Sequence, residues 1–384
     1  MRLGVLPATE IVLAKRLLMK REMVMVLGAV ILLSASVVFA QNQAEPDMTI
    51  DAATRSQVID AVLNDLNEHY VFPDVAKKIE GLIREHQKSQ KYDRLTSASA
   101  FAKALTADMR EVSRDKHLNV VYSYKPVPER KISAEPTEEE RQGRRNYGEA
   151  INYGFERVER LPGNIGYLRV NLFFPVEYGG ETAIAAMRFV ADTEALIIDL
   201  RDNDGGQPEM LVLFASYFFG TEPVQLNGIY RRSTDSIQQY WTMPYVPGKR
   251  YTGKDVYILT SKRTFSGGEA FAYDLKNLKR ATVVGEITEG AANPRDVYRI
   301  NEHFWMGLPT ARAVNPITKT NWEGTGVKPD IEVSAELALK TAHLAALKKK
   351  LDQSGTDEGR NSGIRKLIET LQKELDATLP TKNK

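Results

Sequence analysis

The sequence contains no cysteine, which excludes disulfides, thiolate metal sites and a cysteine nucleophile. It also lacks an excess of either charge: 52 Lys and Arg stand against 50 Asp and Glu over 384 residues. Five of those bases and two of the acids fall in residues 1–40, so the remainder carries 47 positive and 48 negative charges. A near-neutral body has no basic face of the kind nucleic-acid binding needs, and no such partner is expected. Missing too are HExxH, GxxxxGK[ST] and GxGxxG, which sets aside zinc hydrolases, NTPases and dinucleotide enzymes and leaves no cofactor or metal expected. What remains is ordinary globular composition, 42% hydrophobic and 27% charged, long enough for two or three domains.

A long hydrophobic run occurs at Met23–Ala40, directly after Lys20, Arg21 and Glu22. A basic flank, an apolar run and small residues ending at Ala40 form a secretory signal pattern, with cleavage expected before Gln41. Residues 1–40 are therefore assigned to a signal peptide; if uncleaved, the segment is the chain's membrane contact. Export without cysteine suits a periplasmic or secreted location.

Along the rest of the chain, Val58, Ile59, Val62, Leu63 and Leu66 recur at helical spacing, as do Val75, Ile79, Leu82 and Ile83, and Pro73 can open the second helix. Ser97 starts a third, with Phe101, Leu105, Met109 and Val112 on one face. Residues 47–115 thus read as a small three-helix bundle. Residues 116–160 read as a strand followed by a charged linker. Residues 161–335 alternate strands and helices, including the continuous apolar run Ala195–Leu200 of a doubly buried strand, which implies an α/β core with parallel pairing. Residues 336–384 read as a helical, charged tail, expected to be a solvated amphipathic appendage; it leaves assembly into an oligomer open.

Three segments carry candidate chemistry. In Thr260–Lys276, TSKRTFSGGEAFAYDLK, Ser266 stands between an apolar strand and an apolar helix, where free N–H groups and the helix dipole could serve a developing oxyanion. The structural alternative is that Ser266 caps the helix and Glu269 closes a capping box. In Ala195–Gln207, Gly205 and Gly206 let backbone N–H groups approach a ligand. A nucleophilic serine needs a base. Of the five histidines, His69, His86 and His343 fall on predicted helices away from these segments, and position alone leaves His117 and His303 equal.

TSKRTFSGGEAFAYDLKNLKRATVVGE resembles the nucleophile segment of the carboxy-terminal-processing and tricorn-type serine peptidases. IIDLRDNDGG resembles their glycine turn and NWEGTGVKPDIEV (Asn321–Val333) their closing segment. The helical residues 51–112, ending in DKHLNV, look like the N-terminal bundle of the branch that includes interphotoreceptor retinoid-binding protein. The resemblance spans roughly residues 51–335. It implies a ClpP/crotonase-like α/β core behind the bundle, Ser266 as nucleophile, His117 as general base, Glu323 as the supporting acid, and Gly205 and Gly267 as backbone oxyanion donors. Two departures matter. The relay serine that precedes the histidine in the tricorn type is Lys116 here. The dyad lysine of the processing type is Ala291, which argues against a Ser–Lys mechanism. No PDZ-like module stands out in residues 126–160. The implied activity is secreted serine endopeptidase action on unfolded or small protein substrates; the rival is a weakly active or inactive module binding an apolar ligand or peptide on the same scaffold. A third reading makes the C-terminal helices an interaction surface.

Overall fold

The structure is a computed structural model that describes residues 46–129, 135–353 and 358–378; the expected signal segment lies outside them. Asp51, whose side chain accepts from the Thr54 N–H at 2.7 Å, caps α1 (Ala52–His69). Pro73 opens α2 (Pro73–Lys88), where a missing N–H costs nothing, and Ser97 caps α3 (Ala98–Ser113). Val58, Ile59, Val62, Leu63 and Leu66 all face the bundle interior. Arg114, left-handed at φ 58°, stops α3 and turns the chain through Asp115, Lys116 and His117 into β1 (Asn119–Tyr122).

The charged stretch read as a linker contains regular structure. Thr137 accepts from the Glu140 N–H at 3.2 Å while Glu140 accepts from the Thr137 N–H at 2.8 Å, a reciprocal capping box that starts α4 (Glu138–Ala150). The strand β2 (Phe155–Leu161) follows.

The core then runs β3 (Ile165–Val170), α5 (Val176–Val190), β4 (Ala195–Asp199), α6 (Pro208–Ser216), β5 (Gln225–Arg231), β6 (Ser236–Trp241), β7 (Asp255–Thr260), α7 (Gly267–Asn277), β8 (Thr282–Gly285), β9 (Arg295–Arg299), β10 (Phe304–Pro309), β11 (Ala311–Val314) and β12 (Ile331–Glu332). The central sheet has the order β12-β8-β7-β4-β3-β2, parallel except for β2 at one edge. As the apolar run implied, β4 is buried throughout. Two antiparallel three-stranded sheets, β1-β10-β9 and β11-β5-β6, complete the α/β arrangement.

On one face of the central sheet, Leu168, Leu196 and Ile258 pack with Met187, Phe214 and Phe271 of α5, α6 and α7. The other face is covered by α8 (Ala335–Gln353), whose Ala338, Ala342, Ala346 and Leu347 meet Tyr167, Ile197 and Leu259. Against α8 lies α9 (Glu358–Thr378), with Ile364 buried. The expected solvated appendage is therefore half of the sheet's covering layer. Three alanines at i, i+4 and i+8 make a small-residue stripe that brings α8 close to the strands. The described residues from Thr49 onward pack as one unit.

Candidate active site

Strands β4 and β7 are parallel neighbours, so the loops leaving their carboxyl ends lie side by side. Ligand sites in open α/β sheets form at that edge. The β4 loop carries Gly205 and Gly206, and the β7 loop carries Ser266. An ideal Cβ on Gly205 would meet the Ser266 Cβ at 2.8 Å and the Gly267 nitrogen at 2.9 Å, so only glycine allows this approach.

Ser266 adopts φ 50° and ψ −114°, outside the regions open to an unstrained L-residue. Such a strand-to-helix elbow lifts a hydroxyl above the sheet. Its Oγ lies 3.1 Å from Nε2 of His117, 149 positions away in sequence. The capping alternative is realised as well: Ser266 and Glu269 form a capping box, in which the Ser266 N–H donates to Glu269 Oε2 at 2.9 Å. Glu269 is wholly buried and also accepts from Thr288 Oγ1 and from the Gly290 and Ala291 N–H groups. Burial pushes its carboxyl up to about 6 against those four donors. It ties the elbow to the 288–291 segment, a role beyond capping that its spacing did not disclose.

His117 is 8% exposed and stands over Phe265 with ring centroids 4.8 Å apart. Its backbone N–H donates to Asp115 Oδ1 at 3.0 Å, and Arg110 braces the turn by donating to the Leu118 and Lys116 carbonyls. Burial, followed by the charges of Arg295 and Arg110, lowers the imidazole to about 4, so it is neutral at pH 7. His303 instead lies just before β10 and contacts the Ser123 carbonyl at 3.1 Å, and His343 binds the Pro162 carbonyl.

Lys116 points away from the imidazole to Glu289, at 2.5 Å. The space behind the ring belongs to two carboxyls and an amide. Asp115 Oδ2 accepts from Tyr70 Oη at 3.2 Å and from Asn293 Nδ2 at 2.9 Å. Glu323 Oε2 accepts the Ala292 and Asn293 N–H groups at 2.5 and 3.1 Å. A ring nitrogen of His117 and one oxygen each of Asp115 and Glu323 lie within 4.8 Å of one another, the group best placed to hold a metal ion among the described residues. Within it, His117 Nδ1 and Glu323 Oε1 are buried without a partner. With Nε2 turned to Ser266, this arrangement also suits a relay from acid to imidazole. Burial and then the Asp115 charge push Glu323 up to about 8, and burial raises Asp115 as well, so the pair retains a proton into the neutral range. Asn293 and Tyr70 were not foreseen as parts of the site.

The expected oxyanion donors need one correction. The Gly205 N–H is engaged by Asn203 Oδ1 at 2.8 Å, and Gly205 does not line the cleft. Gly206 does line it, beside Gly267, and among the described residues neither N–H has an acceptor. Asn203 itself is buried and anchored to the Val170 carbonyl at 2.8 Å. It takes the Gly205 N–H, so that of the two glycines only Gly206 is left with an N–H that has no acceptor among the described residues. Ala291 lies on the cleft wall.

Residues 164–333 match the model of peptidase family S41, and residues 49–148 match the N-terminal domain of peptidase S41 in eukaryotic IRBP. The chloroplastic carboxyl-terminal-processing peptidase 2 of Arabidopsis thaliana is 26% identical over 195 residues, 47% of this chain and 35% of that protein. The carboxy-terminal-processing protease of Bartonella bacilliformis is 27% identical over 186 residues, 47% of this chain and 41% of that protein. The chain thus spans well under half the length of these relatives. A putative peptidase from Parabacteroides merdae shares the fold at a TM-score of 0.53 and 17% identity, over 85% of this chain and 99% of that one. A lipoprotein from Streptococcus agalactiae does so at 0.51 and 14%, over 80% and 99%.

Proposed function

We propose that this chain, a member of peptidase family S41, is an exported serine endopeptidase that cleaves unfolded or small protein substrates through an acyl-enzyme on Ser266. The observation that carries this is the 3.1 Å approach of His117 Nε2 to Ser266 Oγ in a cleft of about 670 Å³. His117 takes the Ser266 proton as the oxygen attacks the substrate carbonyl. The N–H groups of Gly206 and Gly267 receive the negative charge that develops on the carbonyl oxygen. The imidazolium then gives its proton to the leaving amine, and water, activated by the same ring, releases the acid product. Glu323, once ionised, holds the proton on Nδ1 and leaves Nε2 as acceptor. Lacking a lysine at position 291, the site depends on histidine as its base. The apolar signal pattern ending at Ala40 supports export, and the mature N-terminus is expected at Gln41.

A fluorophosphonate probe should label the protein at Ser266, located by peptide mass analysis, and Ser266→Ala should abolish both labelling and hydrolysis with folding retained. Hydrolysis of an unfolded substrate by Ser266→Ala at the unmodified rate would overturn the assignment.

The oxyanion site has its own test. Gly267→Ala places a methyl 3.0 Å from the Gly206 nitrogen and 3.1 Å from its oxygen, so the glycine turn must give way by a few tenths of an ångström. Turnover should fall by about 10²–10³ while the cooperative melting transition is retained. Unchanged turnover would show that the charge develops elsewhere.

A further inference from the structure

The cleft does not end at the nucleophile. It continues between α6, α7 and the β11-β5-β6 sheet, with Leu211, Val212, Leu226, Ile229 and Ala313 among its apolar walls. Ala270 and Asp274 are four residues apart on one face of α7, Ser266 immediately precedes that helix, and all three line this cleft. At 1.5 Å per residue, Asp274 lies about 12 Å from Ser266 along the helix. On that face only the methyl group of Ala270 stands between them.

At that depth Asp274 is 4% exposed. Asn315 Nδ2 donates to it at 3.0 Å and Asn227 Nδ2 at 3.4 Å. Both amides are themselves fixed: Asn227 Oδ1 accepts the Gly228 N–H, and Asn315 Oδ1 accepts those of Ile317 and Thr318. Among the described residues Asp274 has no ion pair. Two neutral amides satisfy its oxygens without balancing a charge, and a buried carboxylate that lacks a cation is costly. Burial accordingly raises this carboxyl well above the usual carboxylate range. The cleft as a whole leans acidic: Asp204, Glu209 and Asp296 line it with Asp274, against Arg231 and Arg295.

We propose that this extension is the pocket for the substrate side chain on the acyl side of the scissile bond, and that Asp274 at its floor selects lysine or arginine there. The inference rests on the peptidase assignment of Ser266. A long basic residue runs its methylenes along the apolar walls and brings both the missing cation and hydrogen-bond donors to the floor. The small Ala270 leaves the stem room to pass.

The test uses the mature protein and fluorogenic peptides Ala-Ala-X-aminomethylcoumarin with X as Lys, Arg, Leu or Ala. The expected kcat/KM for Lys and Arg exceeds that for Leu by about 100-fold or more. Asp274→Asn, which keeps the side-chain shape, should erase this preference while retaining hydrolysis after Ala and fluorophosphonate labelling. Benzamidine should slow labelling of the unmodified protein but not of Asp274→Asn, a readout independent of turnover. A Leu preference, an undiminished basic preference in Asp274→Asn, or equal protection of both proteins would overturn the pocket assignment while leaving the peptidase intact. Failure to label Ser266 would instead sink the peptidase reading. The pocket would then stand or fall on calorimetric binding of benzamidine to the unmodified protein and its loss in Asp274→Asn.

Discussion

Replacing His117 with alanine should lower kcat by about 10⁴- to 10⁶-fold, because the 3.1 Å contact to Ser266 is the site's route for removing the hydroxyl proton. The fold should survive. The imidazole leaves Nδ1 buried and unpaired, so its removal relieves an unsatisfied polar group even as it opens a cavity. Residual activity within tenfold of the unmodified protein would show that another group deprotonates Ser266. The pH profile gives a second check. An ordinary histidine base would lose activity below about pH 6.5. Here the free imidazole is lowered to about 4, so the acid limb of kcat/KM should lie near pH 4. Stability follows the same shift. Between about 6.5 and 4 the unfolded histidine binds a proton that the folded one refuses, so falling pH costs stability across that window. The alanine variant should therefore lose less melting temperature between pH 7 and pH 4 than the unmodified protein. On the alkaline side, Glu323 is pushed up to about 8 by burial and by Asp115. Ionisation of the pair fixes the productive imidazole tautomer, so kcat should climb as pH rises toward 8. Glu323→Gln should remove that climb and lower the plateau.

The chain declares this site unevenly. Ser266 and Glu323 belong to contiguous segments whose local residues carry the resemblance. His117 was equal to His303 by position, and the choice came from DKHLNV. The resolving fact is tertiary: α3 stops at the left-handed Arg114, and the following turn enters the cleft, while His303 lies just before β10 against the Ser123 carbonyl. The glycine turn was read one residue early for the same reason. Which N–H of Asp204-Gly205-Gly206 is free depends on Asn203, whose side-chain oxygen takes the Gly205 N–H. Nothing in the spacing shows that engagement. Strands and helices divide similarly. Short apolar β4 and the periodic α1 to α3 were legible because burial follows pattern there. The helix α4 was hidden by its charge, although Thr137 and Glu140 spell the capping box in plain sequence. β6 is almost wholly exposed and has no apolar alternation to read.

Truncation after Val333, which removes α8 and α9, should unfold the core rather than trim it. The charged face of SAELALKTAHLAALKKKL suggested a solvated appendage, but its alanine stripe and Leu347 seal Ile165, Ile197, Leu259 and Val284, all at or near zero exposure. Burial of each large aliphatic side chain stabilises by about 1.5–3 kcal/mol. Exposing this face together with Tyr167 and Tyr257 therefore approaches or exceeds the 5–15 kcal/mol that holds a typical domain together. The sheet is shared with the site: β7 and β4, whose loops carry Ser266 and Gly206, lie beneath α8. The truncated chain should accordingly lose its cooperative melting transition and its fluorophosphonate labelling together. A milder variant separates packing from charge. Ala342→Leu overfills a position with no exposure and should cost about 1–3 kcal/mol. Reversing the Lys340–Glu374 pair, a half-exposed 2.8 Å contact between the two helices, should change stability by less than about 1 kcal/mol. If the truncated chain melts cooperatively near the temperature of the full protein, the helices are an appendage after all, and their charged surface, not their alanine stripe, is what the chain keeps them for.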